Sequence, residues 1–235
     1  MQINQEKTNS EKAAIGDRIN EFVQNNRKGI FIIICAVIFI FAGVVTYLYF
    51  GDLANKKTIT QVEELNIKFQ ELNYLINDEF HTEEVQALLD ELTTFAQKGT
   101  IFPTQTGFAR SRAWSIIASI YSTKEDWQEA EEAWVNSARA GVKTYLTPIA
   151  YFNAAVAAEE QGKLEEAIEY LQKCLSGSFE FPAAPRAQFS IGRLNEQLGK
   201  FPEAIEAYRA VMINWPHITI MSNLARSRII AIEIR

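Results

Sequence analysis

Few residues in this 235-residue chain have the type and spacing for chemistry. It contains two histidines, His81 and His217, and two cysteines, Cys35 and Cys174. A zinc site needs three or four nitrogen and sulfur ligands in close array, and these four are scattered. Cys35 stands in an uncharged apolar run. Cys174 occupies a position that favours small residues, so it reads as packing. Two cysteines cannot staple a scaffold of this length, and they leave the compartment open. No glycine-rich loop is present to cradle a phosphate, and no Gly-x-Ser-x-Gly elbow to expose a nucleophile. The carboxylate pairs Glu131-Glu132, Glu159-Glu160 and Glu165-Glu166 are expected on solvated helix faces rather than in acid–base catalysis. The sequence therefore points away from an enzyme and implies no cofactor, no metal and no small-molecule substrate. Its net charge of −6 argues against nucleic acid as a partner. Binding by a protein surface remains, and the elements that would build that surface come next.

From Phe108 to about Pro216 the chain reads as three copies of one pattern. Trp127, Leu164 and Phe201 stand 37 residues apart, and Ala130, Ala167 and Ala204 keep the same spacing. Four residues after each alanine comes a large residue: Trp134, Leu171, Tyr208. A small residue lets two antiparallel helices approach closely, and the large residue one turn on fills the space beside the contact. Gly162 and Gly199 stand where a left-handed residue would end a helix. A fixed period of this kind marks a stacked repeat array. With few Gly and Pro inside elements and no long apolar alternation, the fold class is all-α. Helices are expected over roughly 105–123 and 126–140, 148–161 and 164–175, and 184–198 and 202–214, with Pro148 and Pro202 at first helical positions.

The pattern resembles the tetratricopeptide repeat, a helix-turn-helix of about 34 residues. Trp114, Ile117, Ala118 and Tyr121 fall at its upstream marks in the first copy. Tyr151, Ala154, Ala155 and Ala158 do so in the second, and Gln188, Ile191, Gly192 and Asn195 in the third. Pro216 matches the proline that closes a copy. The resemblance implies that the first helices of successive repeats line a groove. Carried onto this register, the groove positions are Arg112, Ser115 and Ser119, then Ile149, Phe152, Val156 and Glu159, then Arg186, Phe189, Arg193 and Glu196. The Asn and Lys that related proteins use to grip a C-terminal carboxylate are missing. The groove would be apolar in the middle, with arginines toward one end. Phe152 and Phe189 fit inter-repeat packing equally well.

Gly29 to Phe50 carries no charge. At about 1.5 Å per residue it covers the roughly 30 Å of a bilayer core. Tyr47 and Tyr49 suit an interfacial belt. A cleaved signal peptide would have a shorter apolar core and a small-x-small site, and Tyr47-Leu48-Tyr49-Phe50-Gly51-Asp52 offers none. A retained span is expected. Arg27 and Lys28 abut it on the N-terminal side, with Arg18 and Lys12 behind. Asp52 comes first on the other side. The positive-inside rule then places the N-terminus in the cytoplasm and residues 51–235, which carry the acidic excess, across the membrane. Residues 1–28 are polar, with no helix expected beyond roughly Glu11–Gln24. Within it Ile15, Ile19, Phe22 and Val23 could form a short apolar stripe.

Beyond the span, Val62, Leu65, Phe69, Leu72 and Ile76 recur at spacings of three and four. This seam over 56–78 could pair with a partner helix or pack on Val85, Leu88, Leu89, Leu92 and Phe95 of the next helix. Packing within the chain is the expectation, as a degenerate first repeat, with Thr82 as N-cap and Gly99 as stop. His217 to Arg235 is expected to cap the array with Ile220, Leu224, Ile229 or Ile230, and Ile232 inward. The organisation is thus tail (1–28), transmembrane helix (29–50), membrane-proximal helix pair (51–104), three repeats (105–216) and capping helix (217–235).

The whole layout is similar to the YfgM-like family, ancillary subunits of the bacterial SecYEG translocon. The shared features are Asn25-Asn26-Arg27-Lys28-Gly29 entering one span, degenerate repeats, and a closing helix Met221-Ser222-Asn223-Leu224-Ala225-Arg226. The resemblance implies a single-pass protein of the bacterial inner membrane with repeats in the periplasm. Its partners would be the translocon, a membrane-anchored chaperone or unfolded client segments. The alternative is a structural scaffold for envelope assembly or cell division that holds one fixed partner through the groove or the 62–76 seam.

Overall fold

The computed structural model describes residues 2–72, 82–99, 101–103, 106–142, 144–177 and 181–234. The described residues form α1 (Gln2–Leu72), α2 (Thr82–Gln97), α3 (Gly107–Thr123), α4 (Trp127–Ala140), α5 (Leu146–Glu160), α6 (Leu164–Leu175), α7 (Ala184–Gln197), α8 (Phe201–Asn214) and α9 (Thr219–Glu233). The chain divides into two compact units, Met1–Asp52 and Leu53–Arg235.

The first unit is helical throughout its described length. Its apolar side chains from Phe31 to Phe50 are exposed. The helix is long and apolar enough to cross a membrane. The polar tail departs from expectation, because the helix starts at Gln2 rather than near Glu11. Propagating an existing helix costs little, and the tail is rich in Glu, Lys, Gln and Ala, which favour helix. Phe22 and Val23 are exposed. The side chains of Ile15 and Ile19 lie outside the described residues.

The second unit is a helical-repeat solenoid of the tetratricopeptide type. Each helix from α2 to α9 packs on its neighbours in the chain, and α3 also meets α5, as α7 meets α9. The end of α1 joins this array: Val62 and Leu65 are buried in one cluster with Val85, Leu88, Leu89 and Leu92 of α2. Lys68 Nζ adds an ion pair to Glu91 at 2.6 Å. The seam is therefore used within the chain, as far as Leu72. Ile76 lies outside the described residues. Thr82 is the first helical residue of α2, and Gly99 follows its end by two positions.

The paired helices α3–α4, α5–α6 and α7–α8 owe their alignment to one local device. Each first helix ends in a left-handed residue: Glu125 (φ 62°), Gly162 (φ 75°) and Gly199 (φ 71°). The next N–H reaches back to the carbonyl five residues earlier, Asp126 to Tyr121 at 2.9 Å, Lys163 to Ala158 at 2.9 Å and Lys200 to Asn195 at 2.8 Å. This is the hydrogen-bond pattern of a Schellman end, which satisfies carbonyls a helix leaves open. The second helix starts at once, with Glu129, Glu165 and Glu203 in the first turns of α4, α6 and α8, beside their positive dipole ends. Pro148 sits at the third residue of α5 rather than the first. It is tolerated there because N–H groups in the first turn have no intrahelical acceptor.

Contacts within each pair are built as the spacing implied. Ala118 and Ala130, Ala155 and Ala167, and Ala204 are buried. The third copy has Gly192 where the others have Ala118 and Ala155. A methyl group at Gly192 would lie 2.6 Å from Cε1 of Tyr208, whose side chain is fully buried. The aromatic ring thus takes the room the missing Cβ leaves.

The final helix keeps its expected facing at Ile229 and Ile232 but not in its first half. Ala225 and Ile232 are buried and Met221 and Ile229 pack beside them. Ile220 and Leu224, expected inward, are 76% and 48% exposed. Met221, Ala225, Ile229 and Ile232 form their own four-four-three stripe, and small Ala225 admits a close approach that Leu224 would not.

Candidate protein-binding face on the first helices

The helices α3, α5 and α7 carry the eleven groove positions, and the three copies differ in what they do with them. In α3, Arg112 donates from Nη2 to Oδ1 of Asn66 on α1 at 3.2 Å. Ser115 Oγ donates to the Ser111 carbonyl at 3.0 Å and lies 2.9 Å from Ser137 Oγ on α4. Ser119 Oγ donates to the Ser115 carbonyl at 2.8 Å. The polar groups of this copy are therefore engaged in joining helices and in back-bonding along α3.

Copy two is different. α5 is apolar on nearly all sides, and it is buried through Leu146, Pro148, Ala150, Ala154, Ala155, Ala157 and Ala158, against the clusters on both sides of it. A helix apolar all round normally lies inside a core. Here Ile149 and Val156 remain 36% and 41% exposed, on the face that also carries Phe152. Phe152 is half-buried, with its ring centroid 5.7 Å from that of Phe181. The Arg186 guanidinium stands 5.7 Å above the same ring, in cation–π range. Arg186 itself is exposed.

Copy three closes its own core. Phe189 lies 5.0 Å from Tyr208 by ring centroids, so it packs within the α7–α8 pair. Arg193 grips Glu159 of α5 with two parallel bonds, Nη1 to Oε1 at 2.5 Å and Nη2 to Oε2 at 2.6 Å. The Glu159 hydrogen bonds hold its guanidinium above its ordinary pKa. Glu196 repeats the arrangement one copy on. It accepts from Arg228 of α9, Nε at 3.1 Å and Nη2 at 2.5 Å, and from the Tyr208 hydroxyl at 3.2 Å. Two bidentate pairs thus tie α5 to α7 and α7 to α9. Of the three groove arginines, Arg112, Arg186 and Arg193, only Arg186 presents its charge to solvent beside the apolar face. The sequence held a trace of this ladder in the Glu-to-Arg separations of 159 to 193 and 196 to 228.

Sequence reasoning also misplaced Glu131. It is 8% exposed instead of solvated. Its carboxylate accepts from Lys163 Nζ at 3.0 Å, Gln161 Nε2 at 2.8 Å and the Tyr170 hydroxyl at 2.8 Å. Burial pushes its pKa up, but these three donors outweigh burial and leave it below the usual carboxylate value. Tyr170 is raised, by burial first and then by the Glu131 hydrogen bond. Cys174 is buried on α6, and burial pushes its thiol up to about 12, which suits packing and not reactivity. Among the described residues, no three His, Cys, Asp or Glu side chains gather where they could hold a metal ion.

Stacked helix pairs with an exposed apolar strip on a first helix define a tetratricopeptide-type repeat scaffold. The comparisons agree. A tetratricopeptide repeat model matches residues 175–217. A model for a domain of unknown function, DUF6340, matches residues 116–189. A "TPR repeat-containing protein" of Treponema pallidum (strain Nichols) is 33% identical over 150 residues, 64% of this chain and 62% of that protein. The chain therefore spans less than two thirds of that relative's length. Among solved structures, nearly identical TPR-like repeats from Podosopora anserina superpose with a TM-score of 0.51 at 15% identity, covering 73% of this chain and 86% of theirs. A variant of the same protein gives 0.52, at 15% identity and with 73% and 85% coverage. These two likenesses concern the fold alone.

Proposed function

We propose that this chain is a non-enzymatic scaffold, anchored in a membrane by its N-terminal helix, that captures extended protein segments on the exposed face of α5. The observation that carries this reading is the exposed apolar face of that helix. Ile149 and Val156 are left to solvent on either side of Phe152, with Arg186 over the ring. Apolar anchors of a client would bury against these side chains, and a client carboxylate or carbonyl would meet the Arg186 guanidinium. In the finer form of the proposal the repeats face the periplasm of a bacterium and receive clients near the protein translocon. The basic flank Arg27-Lys28 and the layout of tail, span and repeats support that form.

The test is photocrosslinking in intact membranes, with a photoreactive residue at Ile149 and then at Val156. Diverse unfolded clients together with translocon components would support the proposal. One stoichiometric partner would favour a structural scaffold, and no adduct at either position would refute binding at this face. A Phe152→Ser variant separates recognition from packing. Capture lost with thermal stability unchanged assigns the ring to recognition. Loss of both returns it to the core.

A further inference from the structure

The repeat period makes a seat in one copy comparable with its equivalent in the next. On the side of the array away from Phe189 and Arg193, a groove runs between α4 and α6 over α5. Tyr170 fills it. The Tyr170 ring stacks on Tyr151 at 6.4 Å and 17°, and its hydroxyl ends on Glu131. The remaining cleft holds about 260 Å³. Shifted by one repeat, Ala207 stands for Tyr170, Gln188 for Tyr151 and Ile168 for Glu131. The cleft between α6 and α8 over α7 holds about 580 Å³, more than twice as much. Ile191 and Ala207, 7% and 6% exposed, form its floor, and Ile168 and Leu175 form one wall. Glu203 and Glu206 stand exposed along the α8 rim.

We infer that this cleft is a second interaction site, which takes a phenylalanine side chain from a partner protein segment that carries arginine or lysine beside it. The intrachain seat shows that this groove geometry accommodates an aromatic ring. Replacing Glu131 by Ile168 removes the carboxylate that receives the tyrosine hydroxyl, so that end of the seat suits a ring with no polar tip, while Gln172, Ser176, Gln188 and Asn195 line the rest of the cleft. The acidic rim supplies the complement for the flanking cations. The filled groove is of mixed sign, with Lys163 and Arg139 beside Glu131 and Glu132, and Lys163 is paired to Glu131. The site is distinct from the α5 face and does not depend on it.

The probe is an amidated Gly-Arg-Phe-Arg-Gly peptide with 4-fluorophenylalanine at its centre, titrated against the full chain in detergent micelles and followed by ¹⁹F NMR. Saturable broadening is expected with the wild type. It should be absent for the peptide with alanine at the centre and for micelles alone. Ala207→Tyr rebuilds the occupant that the preceding repeat supplies itself, and should weaken binding at least tenfold. Glu203→Lys with Glu206→Lys, both on the helix surface, should weaken it several-fold if Ala207→Tyr fails to fold. Phe152→Ser should leave it unchanged, which separates this site from the α5 face. No saturable signal with the wild type overturns the inference. So does undiminished binding by a folded Ala207→Tyr or by the double glutamate variant, and so does broadening that follows the micelle concentration.

Discussion

Glu125 should be the weakest of the three turns that hold the helix pairs together. It adopts φ 62° at the repeat position where Gly162 and Gly199 have 75° and 71°. An L-residue in this region costs on the order of 1–2 kcal/mol. Glycine escapes that cost but loses about 0.5–1 kcal/mol more conformational entropy on folding. Glu125 is exposed, and the hydrogen bonds of the turn are made by backbone groups that a glycine keeps. Glu125→Gly should therefore stabilise the array by roughly 0.5–1 kcal/mol, or about 1–4 °C in melting temperature for a domain of this size. The reverse exchange is equally clean at Gly162, where an added Cβ would meet nothing within 4 Å. Gly162→Ala should cost about 0.5–1 kcal/mol, the backbone strain less the folding entropy that alanine saves. Both variants can be followed in the full chain in micelles by thermal melting of the circular dichroism signal at 222 nm. A Glu125→Gly protein that melts lower than the wild type would refute the reasoning, as would a Gly162→Ala protein that melts at the same temperature.

Gly192→Ala drives a methyl group to 2.6 Å from the buried Tyr208 ring and should cost about 1–3 kcal/mol by urea titration. Ala167→Leu overpacks a contact with no exposed surface and should cost about 1–3 kcal/mol, and an unchanged midpoint would mean that the α5–α6 interface has room for a larger side chain. Glu131 has a folded pKa below its ordinary 4.5. It contributes stability that is fully present above that value and is lost as pH falls through the lower folded one. Glu131→Gln should lower stability at pH 7 and flatten the acid limb below pH 4.5; equal acid limbs for the two proteins would exclude this role. Phe189→Ala should lower the melting temperature more than Ile149→Ser, because Phe189 lies against Tyr208 while Ile149 faces solvent.

The organisation along the chain was legible because it is written in local, repeated signals. Trp127, Leu164 and Phe201 marked the period, and Gly162 and Gly199 marked two of the three left-handed ends. The bounds of the six repeat helices, α3 to α8, followed to within about two residues. The apolar run from Gly29 to Phe50 declared a helix able to cross a membrane. Such features depend on backbone geometry and on neighbours three or four residues away, so the sequence determines them by itself. Glu125 escaped notice because its residue type does not announce a positive φ; the register does.

Facing and partnership were decided by tertiary structure. α9 has apolar residues on two faces, and periodicity cannot say which one meets α8. Packing chose the face with small Ala225, leaving Ile220 and Leu224 outside. Glu131 looks like any surface carboxylate until Lys163, Gln161 and Tyr170, 30 to 39 residues on, are folded around it. Arg193 looks like a groove cation until the angle between α5 and α7 brings Glu159 within 2.5 Å. Ser115 turns toward Ser137 because α3 and α4 approach closely enough for their hydroxyls to meet. Each outcome depends on how two helices distant in sequence are placed against each other. That placement is set by the sizes of all the side chains at the contact together, and no short window of sequence contains it.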